Sequence, residues 1–183
     1  MSLTRLEGKS CGTCVACCEF VPIKADGLRK PSNTLCPHCV RDQGCTVYEA
    51  RPKECRGWYC GWFFMPGLPE EWHPSRSGIV IRPERFAENE ITLLVLRKSP
   101  FLLSDTFAGM IGAWLEADVE ISFELLGAPG HLPAKMRINE FLASAVAARD
   151  LREMHKLFAW VLSYIEQNHV WEPDGIVLHS ELV

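Results

Sequence analysis

All nine cysteines of this 183-residue chain fall within residues 11–60, a density of reactive side chains that packing does not explain. An odd number of cysteines cannot pair off completely as disulfides. The lead-in over residues 1–10 is polar, and the longest apolar stretch, residues 157–165, is broken by Ser163 and far too short to span a bilayer. The expectation is a soluble cytoplasmic protein that does not enter a membrane. In that compartment glutathione and thioredoxin keep cysteines reduced, so a cluster of them reads as metal-binding or catalytic and not as a disulfide frame.

Cys11, Cys14 and Cys17 form a C-x2-C-x2-C run whose intervening residues, Gly12, Thr13, Val15 and Ala16, are small enough for the backbone to curl around a metal. The run resembles that of bacterial ferredoxins, whose pattern continues x3-C-P. Here the fourth place holds Val21, followed by Pro22, so the missing ligand has to come from downstream. Cys18 follows Cys17 directly. Successive side chains diverge in helix and strand alike, so one of the pair is expected to face a different site or to serve elsewhere.

Residues 22–35 are rich in turn formers and show no periodicity, which predicts a connecting loop. Cys36-Pro37-His38-Cys39 then makes a compact two-thiolate knuckle. Paired with Cys11 and Cys14 it reads C-x2-C-x21-C-x2-C, slightly longer than the usual zinc ribbon. The three-cysteine run therefore favours iron–sulfur and the knuckle favours zinc. His38, held between two knuckle cysteines, is expected to point outward.

Cys45, Tyr48, Arg51, Pro52, Cys55, Arg56 and Cys60 complete the pattern. With Cys11, Cys14, Cys17, Cys18 and Cys36 they stand at the places of a known signature: CxxCxxCC, a loop, a cysteine, then C-x-x-Y-x-x-R-P-x-x-C-R and a further cysteine. Over about residues 8–62 the chain resembles the CxxCxxCC cysteine-cluster family of the YkgJ type. That family is described as zinc- or iron-chelating and is related to the cysteine-rich part of flagellin lysine N-methylases. The resemblance implies a metal held by Cys11, Cys14, Cys17, Cys18, Cys36, Cys45, Cys55 and Cys60. Cys39, where the family commonly carries an apolar residue, is a further candidate.

Thiolates bind only when deprotonated, and a tetrathiolate site carries net negative charge. Guanidiniums at Arg51 and Arg56 would lower thiol pKa values and offset that charge, which makes them the candidate cofactor-binding residues. From Trp58 the sequence turns aromatic, with Tyr59, Trp62, Phe63, Phe64, Met65 and then Trp72. Such a segment excludes water from a metal centre, docks the cysteine module on the rest of the chain, or offers residues 58–72 to a protein partner. His73, beside Pro74 in a polar loop, reads as a surface histidine.

Beyond residue 77 the pattern changes. Residues 79–81, 91–96, 119–126 and 135–138 read as strands, with a helix capped by Ser104 or Asp105 running to Leu115 between the second and third. From Asn139, a candidate cap, an apolar stripe through Val146, Met154, Phe158, Val161 and Ile165 predicts a long helix bent near Arg149. The expected fold class is α+β: an irregular cysteine-rich metal-binding module, residues 1–77, packed on a small antiparallel sheet with two helices, residues 78–183, in one compact unit.

Residues 1–77 carry 10 Lys+Arg against 8 Asp+Glu, and residues 78–183 carry 9 against 15. Neither half has a basic run, so nucleic acid is not an expected partner. Residues 78–183 show no phosphate loop, dinucleotide glycine pattern or Ser-His-Asp order, and read as scaffold. The leading function is a metal-binding protein with an iron–sulfur cluster or zinc in a structural or electron-transfer role. The alternatives are a methylase-related, protein-modifying enzyme that uses the centre, and a thiol-redox or metal-handling protein.

Overall fold

The computed structural model describes residues 6–58, 60–83 and 89–180. Tyr59 and residues 84–88, which fall between the first two expected strands, lie outside them. In the cysteine region, the short helix α1 (Ala16–Phe20) leads into strands β1 (Ile23–Ala25) and β2 (Leu28–Lys30), followed by β3 (Cys39–Val40) and β4 (Gly44–Cys45). The turn-like helices α2 (Lys53–Arg56) and α3 (Pro74–Ser77) complete it. Residues 22–35 are thus not a plain loop. Ala25 pairs with Leu28 across a hairpin whose corner, Gly27, has φ 81°. The Asp26-Gly27 pair is a hairpin signal, but three-residue strands are too short for an alternating pattern to register.

The main sheet takes β5 (Ile79–Pro83), β6 (Glu90–Val95), β7 (Glu120–Leu125) and β8 (Ala134–Arg137) in that spatial order. Its outer pairings are antiparallel, but β6 and β7 run parallel, with Leu93 opposite Phe123. The sheet is therefore mixed and not purely antiparallel. The reason is helix α4 (Asp105–Glu116), which returns the chain to the same end of the sheet, as a parallel pair requires. Ser104 Oγ caps α4 by accepting from Phe107 N at 3.1 Å.

The expected long helix is two, α5 (Asn139–Ala147) and α6 (Leu151–Asn168), so the sheet carries three helices and not two. Arg149 at φ 52° breaks the run, and Asp150 restarts it by accepting from Glu153 N at 3.0 Å. Asn139 does not cap α5. Its Oδ1 accepts from Ile121 N at 2.7 Å and its Nδ2 donates to Val119 O at 2.8 Å, which ties the helix start to β7. The last described strand, β9 (His179–Ser180), adds to the free edge of β2.

One sheet face, carrying Ile81, Leu93 and Phe123, is buried against the helices. Phe158 of α6 stands 5.1 Å from Phe107 and 5.8 Å from Phe123 between ring centroids. This core continues into the aromatic segment. Trp72 is wholly buried against Phe101, Phe107 and Trp114, and Trp62, Phe63 and Leu68 are buried with it. These four residues of the 58–72 segment are buried and join the cysteine region to the main core. A second, smaller core surrounds Leu28, Cys36 and Cys39, with Val15, Ile23 and Leu35 against it.

Long-range hydrogen bonds join the two regions. Ser32 N donates to Asp174 Oδ2 at 2.6 Å, Asn33 Nδ2 to Gly127 O at 2.9 Å, and Gly130 N to Ser32 O at 2.9 Å. Among the described residues no helix is long and apolar enough to cross a membrane.

Candidate metal centre

Every cysteine except Cys39 lines one cavity of about 250 Å³. The backbone explains how distant positions reach it. Cys14 N donates to Cys11 O at 2.8 Å, which closes the first turn, and Cys36 N donates to Cys18 O at 2.9 Å, which pins the knuckle to α1. Cys45 is carried by β4, Cys55 by α2. Cys60 sits against the edge of β5, and only glycine at position 61 permits this: a Cβ there would stand 2.7 Å from Ile81 Cγ2. Cys39 is buried, lies opposite Cys45 in the β3–β4 pair and donates its Sγ to Gly44 O at 3.4 Å.

Cys17 and Cys18 do not diverge as expected of neighbours. Their Sγ atoms lie 4.0 Å apart. Successive helical positions differ by about 100°, and both sides of that angle fall within the mouth of so broad a cavity.

The thiols differ in acidity. The hydrogen bond from Cys17 holds Cys18 down to about 6 against the opposing effect of burial, with help from Cys39, Lys30 and Arg51. The same hydrogen bond pushes Cys17 well up. Burial raises Cys14 and Cys36, takes Cys55 and Cys60 to about 11, and takes Cys39 to about 12. Cys18 is thus held toward the thiolate form, and binding at Cys14, Cys17, Cys36, Cys55 or Cys60 must release protons.

Of the two arginines singled out in the sequence, Arg51 lines the cavity, with its guanidinium 3.7 Å over the Tyr48 ring and Nη1 donating to Tyr48 O at 3.1 Å. Arg56 is exposed and does not line it. A cation that acts on the thiols from behind the cavity wall is Lys30, which does not line the cavity and which no spacing or motif in the sequence marks. Lys30 is wholly buried, and its Nζ donates to Glu19 O, Pro31 O and Thr34 O at 3.0, 2.9 and 2.8 Å. Its charge acts on Cys18 and Cys36. Burial lowers Lys30 itself to about 8. A second lysine, Lys9, sits 4.3 Å over the Trp62 ring, donates to Leu68 O at 2.8 Å and acts on Cys60. His38, expected to point outward, lines the cavity. His73 is half-buried, edge-on to Trp62 at 4.7 Å.

All nine cysteines are thiols. In kind and number they suit zinc or an iron–sulfur cluster, because soft thiolates select these over hard cations. Among the described residues, however, no three of the histidines, cysteines, aspartates and glutamates are drawn together tightly enough to grip a metal ion, so the thiols ring the cavity and do not converge on one point. Rotation of cysteine side chains about χ1 is the motion that would draw them in. Of the zinc-ribbon set, Cys11, Cys14 and Cys36 line the cavity and Cys39 does not; the first two pack on the main core, and Cys36 and Cys39 are buried in the smaller one. Comparison with protein-family models, curated proteins and solved structures finds no match to this chain.

Proposed function

We propose that this is a cytoplasmic metal-binding cysteine-cluster protein that holds an iron–sulfur cluster or zinc through thiolates, in a structural or electron-transfer role. The observation that carries the reading is the gathering of eight thiols from separate segments around one cavity of about 250 Å³. One tetrahedral zinc takes four ligands, and a cavity of this size rimmed by eight thiols exceeds what a single ion needs. That excess, with the C-x2-C-x2-C run, favours iron–sulfur. A bound cluster would supply one-electron chemistry, whereas zinc would supply a cross-link. Lys30 and Arg51 offset thiolate charge, and Trp58 and Phe63 cover the cavity with apolar surface. The likeness to the CxxCxxCC family points the same way. The enzyme reading rests on that likeness alone.

Elemental analysis of anaerobically purified protein is the test. Brown protein whose visible absorption is bleached by reductant establishes iron–sulfur. Colourless protein with stoichiometric zinc from iron-replete cells establishes zinc. Protein with neither metal overturns the proposal and favours the second reading, a thiol-redox protein. The observation behind that second reading is the acidic Cys18 thiol with Cys17 Sγ 4.0 Å away.

A further inference from the structure

The thiols around the cavity belong to two different cores. Cys60 is buried in the main core, and Cys11 and Cys14 pack against it. Cys36 is buried in the smaller core around Leu28, and Cys18 and Cys55 pack against that one. The backbone repeats the division: Cys11 and Cys14 share a turn, whereas Cys36 N is bonded to Cys18 O. Two thiols belong to neither core. Cys17 faces Cys11 and Cys14 as well as Cys18, and Cys45 acts on Cys36 and Cys55. Lys9 acts on Cys60, and Lys30, which acts on Cys18 and Cys36, also feels Cys17 at the junction of the two sides.

We propose that the cavity holds two thiolate centres: one on Cys11, Cys14, Cys17 and Cys60 against the main core, the other on Cys18, Cys36, Cys45 and Cys55 against the smaller core. This rests on the metal-binding reading above and deepens it. Four ligands apiece is the number that a tetrahedral ion or a thiolate-held cluster takes, and eight cavity thiols divide into two such sets with none left over. The adjacent Cys17 and Cys18, 4.0 Å apart, are the place where the two centres meet. The arrangement gives one centre a rigid support, the buried edge of β5, and the other a support made of short strands and turns. The two therefore differ in how firmly they hold metal.

The test is stoichiometric. The reduced, metal-free full chain is titrated anaerobically with cobalt(II), read by thiolate-to-cobalt absorption, and with zinc, read by native mass. Two equivalents per chain are expected. Cys60→Ser or Cys11→Ser should leave one, Cys36→Ser or Cys55→Ser should leave the other, and the Cys60→Ser/Cys36→Ser double variant none. A wild-type count of one overturns the two-centre proposal while leaving the metal reading standing. So does finding that Cys60→Ser and Cys36→Ser abolish the same equivalent. A wild-type count of zero overturns both readings. The wild-type count decides even where a variant fails to fold.

Discussion

Around Phe123 and Phe158 the chain keeps its shape by burying hydrocarbon on both sides of a helix–sheet interface. Around Leu28 it does so with three-residue strands, a lysine tied to three carbonyl oxygens, and thiols. Hydrocarbon burial needs nothing but the chain itself. A region built on polar contacts and thiols has few apolar side chains to offset its ordering entropy by burial, and the metal proposed for its thiols would add to what burial supplies. The two regions should therefore respond to the same disturbance differently.

Removing metal from protein purified with it is the largest disturbance, since thiolate binding contributes on the order of 10 kcal/mol in small zinc modules. Amides of β1 and β2 should lose hydrogen-exchange protection by orders of magnitude, while those of β5–β8 change less than tenfold. Uniform loss across the chain would erase the distinction. Phe158→Ala disturbs the other side: it should lower global stability by about 3–5 kcal/mol and leave metal per folded chain unchanged. A drop in metal content in step with stability would show that the sheet core also shapes the site.

Lys30→Met keeps the volume but leaves three carbonyl oxygens, one buried and two partly so, without this donor, at a cost of about 3 kcal/mol. Exchange should accelerate in residues 28–36 and not in β7, and acceleration in both would mean that the regions unfold as one. Asp174→Ala removes the acceptor of Ser32 N and Ile176 N and should cost about 2 kcal/mol. The expected readout is a thermal transition that separates into two steps, and a single sharp transition would contradict it. The smallest effect is a gain. Asn33, Asp42 and Asp118 share the left-handed conformation with Arg149, but arginine is the one among them poorly suited to it, so Arg149→Gly should stabilise the α5–α6 joint by up to about 1 kcal/mol in denaturant melts.

The sheet and its helices are legible in the sequence because their side chains repeat with the period of the element. Phe107, Met110, Ile111 and Trp114 mark α4 by their three- and four-residue steps, and the apolar runs from Ile91 and up to Leu125 mark the strands on either side. Strand direction is not legible: the parallel pairing of β6 with β7 depends on where α4 sets the chain down, which no local pattern records. The broken helix is half-visible in Arg149 and Asp150. In the cysteine region, spacing alone makes Cys39 a knuckle ligand equal to Cys36; it is the resemblance to the CxxCxxCC family that sets Cys39 apart from the eight cysteines lining the cavity. Spacing cannot assign the thiols to two cores, because that division depends on Cys60 meeting β5 through Gly61. Lys30 is hidden for a similar reason. A lysine in a turn-rich stretch looks solvated until the carbonyls of Glu19 and Thr34 are seen to enclose it.

The bond from Ser32 to Asp174 spans 142 positions, and β2 completes its sheet only with β9. Translation at about 5–20 residues per second puts on the order of ten seconds between the emergence of these two partners from the ribosome. For that interval the thiols around Leu28 are already made while the clamp that seats them is not. A nascent chain is therefore at its most open to oxidation, and to capture of the wrong metal, during its own synthesis. On the metal-binding proposal, loading would belong after the chain has closed on itself.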